Sequence, residues 1–245
     1  MPNKLRRRTI AWIFFGLIVL PVVILLAVYL CNWKTEHHFT EENRKVIGHP
    51  VCVVLLGDSV TAGWSYPQPR HLFLAHPDIV NRGIGGDHIE IMILRMPNDV
   101  FPLQPKMVVF LGGINNLKSR TIPNFLRFPA PIEVETGIRV VAALARAHHE
   151  RLVLCSITPV DEPRARVTLG IGPNKVKAEQ ILAVNTWMKG YALEHGLSYV
   201  DYYSAMTDGH DRMRQELSDD GLHPNGAGYA VMEPILMQAI DSPQP

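Results

Sequence analysis

The chain has 245 residues and a net charge of +1, with 24 Lys and Arg against 23 Asp and Glu. This balance supplies neither the basic field that nucleic acid requires nor the charged composition of a disordered tail. Cys31, Cys52 and Cys155 lack any C-x-x-C zinc spacing and each sits in an apolar run, so they read as buried free thiols rather than a disulfide.

From the N-terminus, Lys4, Arg6, Arg7 and Arg8 give residues 1–9 a basic character. An uncharged run follows from Ile10 to Cys31. A run of this length crosses a hydrocarbon core of about 30 Å as a helix, and Pro21 within it is tolerated there. The basic flank predicts a cytoplasmic N-terminus and a translocated remainder. A cleaved signal peptide is the competing reading. Its apolar stretch is shorter and ends at small residues, whereas the exit here reads Val28-Tyr29-Leu30-Cys31-Asn32-Trp33. The expectation is therefore a single-pass anchor over 10–31, a polar stalk over 32–48 and one globular domain over 49–245. A domain of that size buries its own core without disulfide or metal staples.

Short β-branched runs at Val51–Leu56, Asp78–Asn81, Met107–Leu111, Arg151–Ile157 and Leu197–Val200 predict five strands buried on both faces. Helical patterns lie between and after them at Ile89–Met96, Ile132–His149, Lys175–His195 and Ala227–Ile240. Lys118–Pro131 and Val160–Pro173, rich in proline, read as loops. Alternation of strand and helix predicts a parallel sheet with helices on both faces, a three-layer α/β/α sandwich. Right-handed crossovers bring every strand C-terminus to one edge, where open α/β sheets bind ligands.

That edge collects chemistry. Gly57-Asp58-Ser59-Val60-Thr61 follows the first strand, and Asn81-Arg82-Gly83-Ile84-Gly85-Gly86-Asp87 the second. Gly112-Gly113-Ile114-Asn115-Asn116 follows the third, and Asp220-Gly221-Leu222-His223-Pro224 precedes the last helix. Singly, each has a blander explanation: a helix cap, turn glycines, or a surface Asp and His. Together they supply a nucleophile, a base with an orienting acid, and donors for an oxyanion, which are the parts of acyl transfer.

The four blocks, in this order, resemble the GDSL or SGNH hydrolases. The style of Gly83-Ile84-Gly85-Gly86-Asp87 and Gly113-Ile114-Asn115-Asn116 is similar to the catalytic subunits of intracellular platelet-activating-factor acetylhydrolase. The resemblance covers Val51 to about Ile240. It implies a flavodoxin-like five-stranded sheet of order 2-1-3-4-5, with catalytic Ser59, His223 and Asp220. It also implies an oxyanion hole from the Ser59 and Gly86 N–H groups and the Asn115 amide. The implied activity is hydrolysis of carboxylic esters, lipid or acylated-glycan in type, through an acyl-enzyme, with no metal or organic cofactor and no nucleic-acid partner. Two departures stand out: Val60 replaces the usual Leu or Ile, and Asn116 the usual Asp. The G-x-S-x-G elbow of α/β-hydrolases is absent at Ser59. Two rival readings keep the fold: an acyltransferase acting on envelope glycans, and a binding module without activity.

Overall fold

The computed structural model describes residues 19–23, 26, 37–65, 71–117, 130–168 and 178–243. Its sheet contains β1 (Val53–Gly57), β2 (Ile79–Gly83), β3 (Met107–Leu111), β4 (Arg151–Cys155) and β5 (Ser198–Val200), all parallel in the order β2-β1-β3-β4-β5. All the strands predicted from sequence are present, with ends shifted by one or two residues. β2 is longer than its weak apolar pattern suggested, because Arg82 interrupts the run yet is buried.

Successive side chains alternate between two cores, as the pleat requires. Val54, Leu56, Val108, Phe110, Leu152 and Leu154 face α4 (Ile89–Asp99), α6 (Ala130–Ala147) and α8 (Ala178–Glu194). Val53, Leu55, Val109, Val153 and Cys155 face α2 (Ser59–Gly63), α3 (His71–Ala75), α9 (Tyr202–Met206) and α10 (Gly226–Asp241). The predicted three-layer sandwich is therefore the observed one. Cys52 and Cys155 are free thiols, and burial pushes Cys155 up to about 12.

Three segments differ from the sequence expectation. The stretch read as a stalk holds a helix, α1 (Thr40–Val46), with acidic residues in its first turn and basic ones in its last. Its buried Asn43 donates to Asn98 O at 2.7 Å and accepts from the Arg82 guanidinium, so α1 belongs to the fold. The stretch Val160–Pro173 is not all loop, since α7 (Glu162–Thr168) begins within it. Helix α4 runs past Pro97 to Asp99 instead of stopping at Met96. A proline late in a helix costs only one backbone bond, and Arg95 spans that turn by pairing with Asp99. Among the described residues no helix is long and apolar enough to cross a membrane. Apart from 19–23 and 26, the predicted span 10–31 lies outside the described residues, as does 118–129 of the other predicted loop.

The strand-start edge, opposite the motif residues, carries Glu150. It is 8% exposed, its Oε2 has no hydrogen-bond partner among the described residues, and burial raises its carboxyl to about 7. A carboxyl that protonates more readily in the folded chain stabilises it fully below the unfolded value, and that contribution is lost as pH rises through the folded value. Glu150→Gln removes this loss. The variant is expected to gain roughly 1–3 kcal/mol at pH 8 and to show a flatter stability profile between pH ~4.5 and ~7, checked by urea unfolding across that range.

Candidate active site

Glycine at the ends of β1 and β2 lets α2 sit against the sheet. A Cβ at Gly57 would lie 2.0 Å from Thr61 Oγ1 and 2.3 Å from Leu111 O, and one at Gly83 only 2.2 Å from Ala62 N. Ser59 therefore opens α2 directly beyond β1. Asp58 caps this helix by accepting from Val60 N at 2.9 Å, and Tyr229 of α10 donates to Val60 O at 2.7 Å. The nucleophile candidate is thus clamped from the sheet and from the last helix.

His223, 164 residues later, reaches it. His223 Nε2 lies 3.0 Å from Ser59 Oγ, and His223 Nδ1 lies 2.7 Å from Asp220 Oδ2. An ionised carboxylate only accepts, so Nδ1 carries the proton and Nε2 is left to accept the Ser59 hydroxyl. The turn holding this pair is itself tied down. Asp220 Oδ1 accepts from Leu222 N and His223 N, each at 2.8 Å, and Ser218 Oγ accepts from Gly221 N at 2.9 Å. Arg164 of α7 donates to Ser218 O at 2.8 Å and Asp219 O at 2.9 Å. Gly221 has φ +79, and a Cβ there would meet Arg164 Cβ at 2.8 Å. Partial burial pushes the Asp220 carboxyl up, but the His223 ring and the two backbone N–H groups outweigh it and hold it below its ordinary value.

The glycine-rich turn after β2 lies beside the serine. A Cβ built on Gly85 would sit 3.9 Å from Ser59 Cβ, and Gly86 adopts φ +86 with open space where a side chain would go. Only glycine takes that backbone cheaply. Asn115, on α5 (Ile114–Leu117), is 2% exposed and donates from Nδ2 to Asp87 O at 2.9 Å. A primary amide has two N–H groups, so this bond fixes the plane in which the second points. The structure therefore joins Ser59, His223 and Asp220 in one hydrogen-bonded chain. It sets Gly86 on the turn beside Ser59, and ties Asn115 to that turn.

The sequence reading missed Arg95. Its guanidinium is fully buried beneath the site and donates to Asp87 Oδ2 at 2.7 Å, Asp99 Oδ2 at 3.0 Å and Gly57 O at 3.0 Å. One side chain thus links the strand end before Ser59 to the turn carrying Gly86. Burial raises both Asp87 and Asp99, and Arg95 partly offsets it. The available signal was an arginine at an inward-facing position of α4 with an aspartate four residues on. Among the described residues no group of His, Cys, Asp or Glu is arranged to hold a metal.

A parallel α/β sandwich with a Ser-His-Asp chain at its strand-end edge defines a class, and sequence comparison narrows it. The model of the GDSL-like Lipase/Acylhydrolase family matches residues 55–231, and the chain belongs to that family. A GDSL-like lipase from Bacteroides thetaiotaomicron is 25% identical, with a TM-score of 0.71 over 84% of this chain and 97% of its own. A Bacteroides fragilis protein assigned as an acylhydrolase is 26% identical, with a TM-score of 0.67 over 83% and 94%. A mutant acetyl-xylooligosaccharide esterase from Geobacillus shares the fold at 18% identity, with a TM-score of 0.60 over 78% and 94%. Comparison with curated proteins gave no match.

Removing Arg95 leaves two buried carboxylates without their cation. Arg95→Met is expected to cost about 3–5 kcal/mol near pH 8. Without Arg95 both carboxyls rise further, so the deficit shrinks as pH falls and they protonate. Chemical denaturation of the variant at pH 8 and pH 5.5 tests both parts.

Proposed function

We propose that this chain is a membrane-tethered serine esterase that cleaves carboxylic esters through an acyl-enzyme on Ser59. The observation that carries the reading is the hydrogen-bonded chain from Asp220 through His223 to Ser59. Family membership supports an ester-cleaving chemistry, and the relatives' names span lipase and acetylated-sugar esterase.

In this mechanism His223 Nε2 takes the proton as Ser59 Oγ attacks the ester carbonyl carbon. The carbonyl oxygen becomes an oxyanion, which accepts from the Ser59 and Gly86 N–H groups and the Asn115 amide. Collapse breaks the bond to the alkoxy oxygen, and the imidazolium returns its proton to the departing alcohol. Water, deprotonated by the same imidazole, then attacks the acyl-serine. The acid leaves, and Ser59 regains its hydrogen. Asp220 keeps its charge throughout and stabilises the imidazolium, a role that its lowered carboxyl suits. The apolar run Ile10–Cys31 is the tether, and the esterase domain lies on the extracytoplasmic side.

Ser59→Ala is expected to lower kcat/KM for p-nitrophenyl acetate by at least about 10³-fold and to abolish labelling by a fluorophosphonate, with the circular dichroism spectrum unchanged. Asn115→Ala should cost roughly 10²–10³-fold, mostly in kcat. A Ser59→Ala protein that turns over at the wild-type rate refutes the assignment.

A further inference from the structure

The path by which the chain enters the domain bears on where its substrate comes from. Residues His38 and Phe39, just before α1, line a cavity of about 460 Å³ that follows β2 from Ile79 to Gly83 and takes in Ala62 and Ser65. Ala62 is one helical turn beyond Ser59, and Gly83 begins the turn that carries Gly86. Val46, at the other end of α1, packs against the core that holds Val51, and the chain turns into β1 from the strand-start edge, where Cys52 N donates to Asp78 O. Phe39 packs on Arg82, one residue before the C-terminal end of β2, so the domain's N-terminal entry point lies beside the active-site end.

That entry point is fixed. Phe39 is 7% exposed, the Arg82 guanidinium lies 4.8 Å from its ring centre, and Arg82 also donates to Asn43 Oδ1. Asn43 bonds Asn98 O on the far side. A guanidinium over an aromatic ring, with its donors shared between a buried amide and the Asn81 carbonyl, leaves the segment little freedom to swing.

Only Asn32–Glu36 separates the apolar run from His37. Fully extended, those residues reach about 20 Å, roughly half the ~40 Å breadth expected of a domain this size. Resting on the tether proposed above, we infer that the active-site end of the domain is held at the bilayer surface. The ester is then drawn from that same membrane, as an acyl group on an amphipathic lipid, rather than from free solution. The strand-start edge with Glu150 would face away from the membrane.

The test uses the full chain reconstituted in phosphatidylcholine vesicles with a fluorogenic acylated lipid as probe. The probe is placed either in the same vesicles or in a second, protein-free population. A variant carries about twenty Gly and Ser residues inserted between Glu36 and His37, which lets the domain drift ~25 Å further out. The wild type is expected to cleave the lipid in its own vesicle at least roughly tenfold faster than lipid in the other population. The insertion should erase most of that difference, because it dilutes the local concentration, while p-nitrophenyl acetate is hydrolysed at an unchanged rate. Equal cleavage in both vesicle populations, or an own-vesicle advantage that survives the insertion, overturns the inference while leaving the esterase intact. Release of the wild type from vesicles by alkaline carbonate overturns it through the tether. Failure of the wild type to hydrolyse p-nitrophenyl acetate or to label at Ser59 instead fells the esterase reading, and this inference with it.

Discussion

The hydrogen bond between His223 Nε2 and Ser59 Oγ joins two residues 164 positions apart, and the rest of the molecule is arranged around that closure. Loop closure over such a length is entropically costly in a free chain. Here the cost is met by the sheet, which delivers Ser59 from its first strand, and by α10, which packs on the sheet face below that strand. The Tyr229 hydroxyl on Val60 O joins the two ends of the chain a second time, directly behind the serine. The imidazole therefore has no need to search for its partner. Its position follows from the packing of α10 and from a turn whose carboxylate accepts from its own following backbone.

Beneath that closure, Arg95 does for the turn that carries Gly86 what Tyr229 does for the start of α2. A buried guanidinium between two carboxylates is not by itself a gain in stability, since desolvation of three charges offsets much of their attraction. What it contributes is geometry. Three donors of one planar group reach Gly57 O, Asp87 and Asp99, so the strand end before the serine and the turn beside it share one rigid partner. Asn115 then draws its direction from Asp87 O on the same turn. In the mechanism proposed above, donors set this firmly cost little reorganisation as charge develops on a substrate oxygen.

The legible part of the fold was the part set by local periodicity and by punctuation. Buried parallel strands are short apolar runs, and the site residues followed them at glycine-marked turns. The elements that escaped notice depend on distant partners. Thr40–Val46 has no apolar stripe; its one fully buried residue, Asn43, is paired with Arg82 and Asn98 O. Arg82 in turn disguised β2, because a cation in a strand signals exposure unless Phe39 and Asn43 cover it. The helix predicted over Ile89–Met96 runs on past Pro97 to Asp99, across a turn that the Arg95–Asp99 pair spans. For Asn43 and Arg82, a polar residue was inside because another polar residue, remote in sequence, met it there. The supports of the His223 turn, Ser218 and Arg164, were hidden for the same reason.

Asn116, where the family pattern has aspartate, is explained by its neighbour. Its Oδ1 accepts from Ile89 N at 3.0 Å and its Nδ2 donates to Glu90 Oε2 at 2.8 Å. An aspartate could make the first bond but not the second, since an ionised carboxylate has no proton to give. It would instead set one carboxylate against another at hydrogen-bond distance, beside the half-buried start of α4, where like charges repel more strongly than in water. The amide turns that repulsion into a bond and fastens α5 to the first turn of α4. Asn115 is the residue immediately before Asn116, and Gly86 lies three residues before Ile89. The substitution is therefore matched to Glu90, and the pair fastens the third sequence block to the helix that follows the second without altering the bond from Asn115 to Asp87 O.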